Sequence, residues 1–225
     1  MKVDFFIVGA PKAGTTSLCH YLNEHPEIVM SSQKETDFFS DESLQKQGLY
    51  YGKNRVDKIE KYHNLFPTLQ EKKYGEASVS YLFYEDVPKK IKEYNSNGKI
   101  IIMLRNPVER AFSHYLMDYR LGLIIPPLEE FFERKLNNKK SKLFYQQYIE
   151  LGLYFEQVKR YLDTFGSENI HIIFYQDFKN DIEEVIRKAY YFLGVDNSFK
   201  PGVEKKHNTF SRPKNNLIRI VYSFV

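Results

Sequence analysis

Residues 5 to 18 read Phe5-Phe6-Ile7-Val8-Gly9-Ala10-Pro11-Lys12-Ala13-Gly14-Thr15-Thr16-Ser17-Leu18, and they leave the chain few ways to fold. Phe5 to Val8 form a short unbroken apolar run, the pattern of a strand buried on both faces. Gly9 and Gly14 frame a turn, and Thr15, Thr16 and Ser17 open a helix with Leu18, Tyr21, Leu22 and His25 at helical spacing. Strand, glycine turn and helix N-terminus in this order make an anion cradle. Backbone N–H groups converge on the ligand, and the helix dipole adds positive potential there. A plain strand–turn–helix, in which the glycines only make the turn, is the competing reading. The lysine inside the loop and the three hydroxyls after it favour phosphate binding.

The wording of this loop departs from the common nucleotide loop, G-x-x-x-x-G-K-[ST], whose lysine reaches the β/γ-phosphates and whose hydroxyl holds magnesium. Gly9 and Gly14 keep the spacing, but Thr15 stands where that lysine belongs, and Lys12 lies inside the loop instead. Such a loop grips a phosphate without the usual hold on a triphosphate and its metal.

The stretch Gly9-Ala10-Pro11-Lys12-Ala13-Gly14-Thr15-Thr16-Ser17-Leu18 resembles the 5′-phosphosulfate loop of sulfotransferases that use 3′-phosphoadenosine 5′-phosphosulfate (PAPS), closest in flavour to the heparan-sulfate enzymes and their bacterial relatives. The resemblance implies that Lys12, Ala13, Gly14, Thr15, Thr16 and Ser17 bind the donor, with Lys12 also catalytic. A second segment, Gln33-Lys34-Glu35-Thr36-Asp37-Phe38-Phe39, is similar to the family's Lys-Glu-x-x-Phe-Phe, whose glutamate is the general base. By resemblance Glu35 takes that role, with Lys34 beside it. Transfer to a hydroxyl or amine needs a group to accept the acceptor's proton, and a carboxylate does this. Without the family, the pair reads as solvated charges beside a hydrophobic anchor.

Composition frames these readings. At 225 residues the chain is one domain by length, 1–225, and 42% apolar content with 18 Tyr, 18 Phe and no Trp argues for a packed globule. A net charge of +4 suits an anionic ligand and is too mild, taken alone, for a nucleic-acid partner. The single cysteine, Cys19, excludes an internal disulfide and cysteine-built metal clusters, and it fits a reducing cytoplasm. In the first helix it reads as a small core residue. Met1-Lys2-Val3-Asp4 leads straight into the strand, so no signal peptide is expected. No apolar run approaches the ~20 residues of a membrane span. The sequence thus reads as a bacterial-type cytoplasmic enzyme or as a chain whose anchor was removed.

Further along, short strands are expected at 27–31, 73–77, 100–104 and 170–175 in addition to 4–8, with helices at 55–65, 87–94, 142–165 and 181–193. Asp86 is a candidate cap for the helix from Val87, with Pro88 in its first turn. Lys73-Tyr74-Gly75-Glu76-Ala77-Ser78-Val79-Ser80-Tyr81 is a partial match to the family's Gly-Glu-Lys-x-Pro-x-Tyr, with Ala77 in place of the lysine and Val79 in place of the proline. Glu76 and Ser78 are candidate acceptor contacts, and the missing lysine counts against an anionic, heparan-type acceptor. Residues 40 to 72 carry no chemistry beyond a candidate acceptor lid.

The second strong motif is Lys99-Ile100-Ile101-Ile102-Met103-Leu104-Arg105-Asn106-Pro107-Val108-Glu109-Arg110-Ala111-Phe112-Ser113-His114-Tyr115. Asn106, Pro107 and Glu109 start a helix as cap, N1 proline and N3 acid. Arg105 is thereby delivered at the carboxyl end of a strand, where open α/β sheets bind ligands. Ser113 follows the cap by about two turns and faces the same side. An arginine fork and a hydroxyl aimed at one spot suit a phosphate, and the resembled family uses this pair for the 3′-phosphate of PAPS. Gly152-Leu153-Tyr154-Phe155-Glu156-Gln157 resembles a family segment near the cofactor and makes Tyr154 a weaker substrate-binding candidate. A basic loop, 204–214, stands where the family folds one over the adenosine, giving Lys206, Asn208, Ser211 and Arg212 as cofactor-binding candidates. Relatives commonly continue further, so a shortened C-terminus is expected.

These readings sum to an α/β fold, a mainly parallel central sheet flanked by helices, of the P-loop-containing nucleotide-binding type. The expected activity is sulfuryl transfer from PAPS, leaving 3′,5′-adenosine bisphosphate (PAP), to a carbohydrate or small-metabolite hydroxyl or amine, with no metal. Two other readings stay open: a small-metabolite kinase, and a non-catalytic protein that binds the adenosine bisphosphate.

Overall fold

The protein is described by a computed structural model covering residues 2–48, 55–69, 72–123 and 139–202. Five strands, β1 (Phe5–Gly9), β2 (Ile28–Met30), β3 (Lys73–Ala77), β4 (Lys99–Leu104) and β5 (Ile170–Phe174), form one sheet in the order β2-β3-β1-β4-β5. Every pairing is parallel, with Phe5 opposite Gly75 and Lys99, and Ile100 opposite Ile170. Parallel strands need crossovers, and helices supply them: α1 (Thr15–Asn23), α2 (Asp41–Gln47), α3 (Ile59–His63), α4 (Val87–Tyr94), α5 (Pro107–Arg120), α6 (Lys139–Tyr148), α7 (Tyr154–Phe165), α8 (Tyr175–Asn180) and α9 (Ile182–Leu193). This is the expected α/β class, and all five expected strands are present within a residue or two.

Covered on both faces, β1 and β4 are apolar throughout: Phe5 to Val8 and Ile100 to Met103 have no solvent exposure. β1 lies at the centre, and Gly75 lets its neighbour β3 approach. A Cβ at that glycine would lie 2.1 Å from the Phe5 ring and 2.6 Å from Met30 Sδ. One end of the sheet is closed by an aromatic cluster in which Phe38 stacks on Tyr62 at 4.6 Å, and Phe39 meets Tyr62 and Tyr81 edge-on at 5.7 Å each.

Local details differ from expectation. The helix foreseen at 142–165 is two, α6 and α7, separated by a 3₁₀ turn at Glu150–Gly152. The break brings Gly152 against Pro107, where a Cβ would meet the proline ring at 3.1 Å. Along α7, Tyr161 and Phe165 are buried while Leu162 is 36% exposed. The helix foreseen at 55–65 contracts to Ile59–His63. Asp86 does not cap α4 with its side chain; its carboxylate instead pairs with Lys90 at 2.6 Å. Cys19 packs half-buried against the core, and burial above all pushes its thiol up to about 12, the behaviour of an inert thiol.

Candidate active site

The turn after β1 builds the first wall of the site. Lys12 adopts φ 64°, and Gly14 at φ 99° is the N-cap of α1. No side chain caps this helix, and its first turn holds no acidic residue. The Thr15 and Thr16 N–H groups and the positive dipole end are thus left for a ligand, while the Ser17 N–H donates to Gly14 O at 3.1 Å. Thr15, Thr16 and Ser17 line the cleft in front of them, whereas Ala13 is fully buried behind the turn. Gly14 is required by shape as well as by φ, because a Cβ would lie 3.0 Å from Met103 Cε and 3.1 Å from the Tyr175 ring. Lys12 Nζ lies 3.4 Å from Met117 Sδ. Burial lowers its pKa, and Arg120, Arg105 and Lys34 lower it further, with Asp118 pulling the other way.

The second wall carries Glu35. Its backbone N–H donates to Ala77 O at 2.8 Å, and the Val79 N–H donates to its Oε2 at 3.0 Å, while Lys34 pairs with its Oε1. Burial draws the Lys34 ammonium down, but the Glu35 carboxylate outweighs this and the net shift is upward. Glu35 and Asp37 sit at φ 58° and 53°, a left-handed backbone that ordinary residues adopt at a cost. What holds it is visible on both sides. Phe38 and Phe39 anchor the downstream end in the aromatic cluster, and a buried polar network holds the middle. Thr36 donates to Glu76 Oε1 at 3.1 Å, Ser78 donates to the same oxygen at 2.5 Å, and the Asp37 N–H donates to Ser78 Oγ at 2.9 Å.

This network fixes where Glu76 and Ser78 are. Both are fully buried beneath the Glu35 segment and are not among the residues lining the cleft. Glu76 Oε2 has no hydrogen-bond partner, and burial, ahead of the opposing Ser78 and Thr36 hydrogen bonds, raises its pKa to about 8. Val79 and Ser80, just beyond them, do reach the cleft.

Arg105 and Ser113 supply the third wall. Asn106 caps α5 as its sequence position foretells, its side chain accepting from Val108 N–H at 3.0 Å and Glu109 N–H at 3.3 Å. Arg105 then leaves the end of β4 with its guanidinium over the Tyr175 ring at 4.5 Å. It donates to Lys12 O at 3.3 Å and to Glu109 at 3.2 Å. Tyr154 lies behind this point, not in the cleft, and its hydroxyl donates to Arg105 O at 2.9 Å. His114, next to Ser113 and 3% exposed, is driven down to about 3 by burial and by Arg110 and Lys12, so it is neutral at ordinary pH.

One open cleft of about 1040 Å³ joins the three walls, lined by Lys12, Gly14 to Ser17, Lys34, Glu35, Arg105 and Ser113 together. Lys206, Asn208, Ser211 and Arg212 lie outside the described residues. Sequence reading missed several cleft residues, Tyr175, Phe83 and Tyr84 among them. The signal was available, since Tyr175 directly follows β5 just as Arg105 directly follows β4, at the strand ends where ligands bind. Glu109, read only as a helix-start acid, proves to be the partner of Arg105. Among the described residues no group of His, Cys, Asp and Glu is arranged to hold a metal ion, and no helix is long and apolar enough to cross a membrane.

Comparison with known proteins accords with this geometry. A solved sulfotransferase from Alicyclobacillus acidocaldarius is 34% identical and superposes with a TM-score of 0.80, covering 92% of this chain and 87% of that one. A mouse sulfotransferase solved with PAP shares the fold at 23% identity and a TM-score of 0.52. Heparan sulfate glucosamine 3-O-sulfotransferase 5 of Homo sapiens is 28% identical over 74% of this chain and 46% of its own length. The membrane-associated sulfotransferase kil1 of Dictyostelium discoideum is 25% identical over 93% of this chain and 60% of its own. The chain therefore spans about half the length of the curated relatives it matches. The family model for the sulfotransferase domain matches residues 2–221, so the chain belongs to the sulfotransferase domain family, and its enzyme class is that of the family.

Proposed function

We propose that this protein moves a sulfuryl group from PAPS to a hydroxyl or amine of a carbohydrate or small-metabolite acceptor. The observation that carries the reading is a single cleft uniting an uncapped helix N-terminus with Lys12, an arginine–hydroxyl pair and a fixed carboxylate. Two anion grips on neighbouring strands suit a ligand with two separated anionic groups. PAPS has that form, whereas ATP carries its phosphates on one side. The Gly14 cradle, which a Cβ would fill, and the aromatic floor under Arg105 fit such a ligand.

When bound, PAPS supplies an activated sulfuryl group attached to its 5′-phosphate. The Thr15 and Thr16 amides and the hydroxyls of Thr15, Thr16 and Ser17 hold that phosphate, and Arg105 with Ser113 holds the 3′-phosphate. Glu35, oriented by the Val79 amide and the Lys34 ion pair, takes the acceptor's proton as the new bond to sulfur forms. Lys12 holds positive charge against the phosphate oxygen as that oxygen departs, so no charge reorganisation is needed at the moment of transfer. This is the place a kinase fills with magnesium. The buried, neighbour-depressed Lys12 ammonium gains most from an incoming anion. The heparan sulfate sulfotransferases among its relatives support a sugar-type acceptor, and the single cysteine supports a reducing compartment such as the cytoplasm.

The deciding experiment is a thermal-shift titration with PAP against ADP and ATP with magnesium. At 100 times its dissociation constant PAP adds roughly 2.7 kcal/mol to stability. Stabilisation by ATP with magnesium and not by PAP overturns the reading in favour of a kinase. PAP binding without any transfer from PAPS to a broad acceptor panel points to the non-catalytic protein.

A further inference from the structure

The cleft changes character beyond Glu35. Its donor end is charged and carries Lys12, Arg105, Ser113 and the short helix α8. The opposite wall begins at Val79, whose amide holds the Glu35 carboxylate, and continues through Phe83 and Tyr84 to Leu44 of α2 and Leu151 after α6. The polar residues interleaved there, Ser80, Gln146 and Gln147, are neutral. The wall is tied across three elements, because Gln47 of α2 accepts from the Tyr84 hydroxyl and donates to Gln146 of α6.

The described cations of the cleft each have a place already. Among the described residues lining the cleft, Lys12 belongs to the turn, Lys34 is paired with Glu35 and Arg105 with Glu109. Lys179 lies on α8 together with Tyr175, at the donor end. Arg120 acts on Lys12 through its charge but does not line the cleft. Among the described residues, the wall facing an incoming acceptor therefore carries one positive side chain, Lys34, and its charge is already answered by Glu35. A polyanionic sugar chain needs several, each making charge-assisted hydrogen bonds to its sulfates or carboxylates.

We infer that the acceptor is a neutral, hydroxyl-bearing molecule with an apolar flank, the chemistry of an aryl or alkyl glycoside, and not a sulfated polyanion. The inference rests on the transferase reading of the same cleft. The hydroxyl meets Glu35, neutral amides and hydroxyls contact the polar body, and the flank lies on Phe83, Tyr84 and the two leucines. Burying a phenyl group there contributes on the order of tenfold or more in affinity over the bare sugar.

The test is calorimetric titration of the full chain with glucose, phenyl β-glucoside and an N-sulfated heparan octasaccharide, each at 50 and 300 mM salt, with PAP titrated separately. Phenyl β-glucoside is expected to bind at least about tenfold more tightly than glucose and more tightly than the octasaccharide, with little salt dependence. In Phe83→Ala the advantage over glucose shrinks severalfold while PAP affinity holds. Tighter octasaccharide binding that falls steeply with salt overturns the inference, as does equal affinity for glucose and its phenyl glycoside. Should Phe83→Ala fail to fold, the salt dependence of the unmodified chain decides alone. PAP reports on the donor end only: its failure to bind counts against the transferase reading, while the sugar contrasts still decide the acceptor class.

Discussion

Glu76 makes the stability of this fold depend on pH in a calculable way. Its side chain is fully buried, one oxygen has no partner, and burial raises its pKa from the ordinary 4.5 to about 8. Between those values the folded chain keeps a proton that the unfolded chain releases. The folded state therefore binds more protons, and stability falls as pH rises. It is highest below 4.5, falls through the window, and levels off above about 8. At ~1.4 kcal/mol per pH unit, the full window is worth about 5 kcal/mol, a large share of the ~5–15 kcal/mol of a typical domain. Glu76→Gln removes the titration while its amide oxygen still accepts from Thr36 and Ser78. Urea unfolding of both proteins between pH 5 and 8.5 is the assay. The two should have similar stability at pH 5, and the glutamine variant should be several kcal/mol more stable at pH 8.5. Groups common to both proteins cancel in the difference. Parallel stability curves would refute the reasoning, because they would mean that Glu76 is ionised at no cost.

Three further outcomes are expected. Lys12→Ala and Glu35→Gln each reduce sulfuryl turnover by two orders of magnitude or more while far-UV circular dichroism is unchanged; full activity in Glu35→Gln would move the base elsewhere in the cleft. Arg105→Ala removes charge-assisted hydrogen bonds worth ~1.5–3 kcal/mol, so calorimetry should show PAP affinity falling at least about tenfold, and an unchanged affinity would detach Arg105 from the donor grip. Asn106→Ala deletes the acceptor for the Val108 and Glu109 amides and costs ~1 kcal/mol by denaturant unfolding, with no loss counting against the cap.

The centre of the sheet was legible in the sequence because β1 and β4 carry short, unbroken apolar runs, and burial on both faces leaves few other readings for Phe5 to Val8 or Ile100 to Met103. The Asn106 cap was legible because the cap, the proline and the acid act within one turn. What escaped depends on contacts distant in sequence. The break between α6 and α7 brings Gly152 against Pro107, a contact distant in sequence that the helical spacing of 142–165 does not announce. Asp86 looks like a cap but finds Lys90 one helical turn away, a competition that spacing alone does not rank. Glu76 read as a cleft residue because its motif resembles one; only the fold shows it turned beneath the Glu35 segment. Tyr175 was passed over as the end of a strand, although the rule that singled out Arg105 applies to it equally.

The two anion grips are delivered by strands that are neighbours in the sheet, β1 and β4, whose spacing of ~4.8 Å is set by backbone hydrogen bonds and not by side chains. With the donor bound as proposed, the sheet is its ruler, and no surface mutation can recalibrate it without breaking the ladder. The facing wall has no such standard. It is assembled from α2, the segment after β3, and α6, joined to one another by side chains such as Gln47 and Tyr84. A lineage is free to redraw that jaw residue by residue while the handle stays fixed. An engineer seeking new acceptors should therefore vary Phe83 and Tyr84 and leave the strand ends and the buried Tyr81 and Leu82 alone.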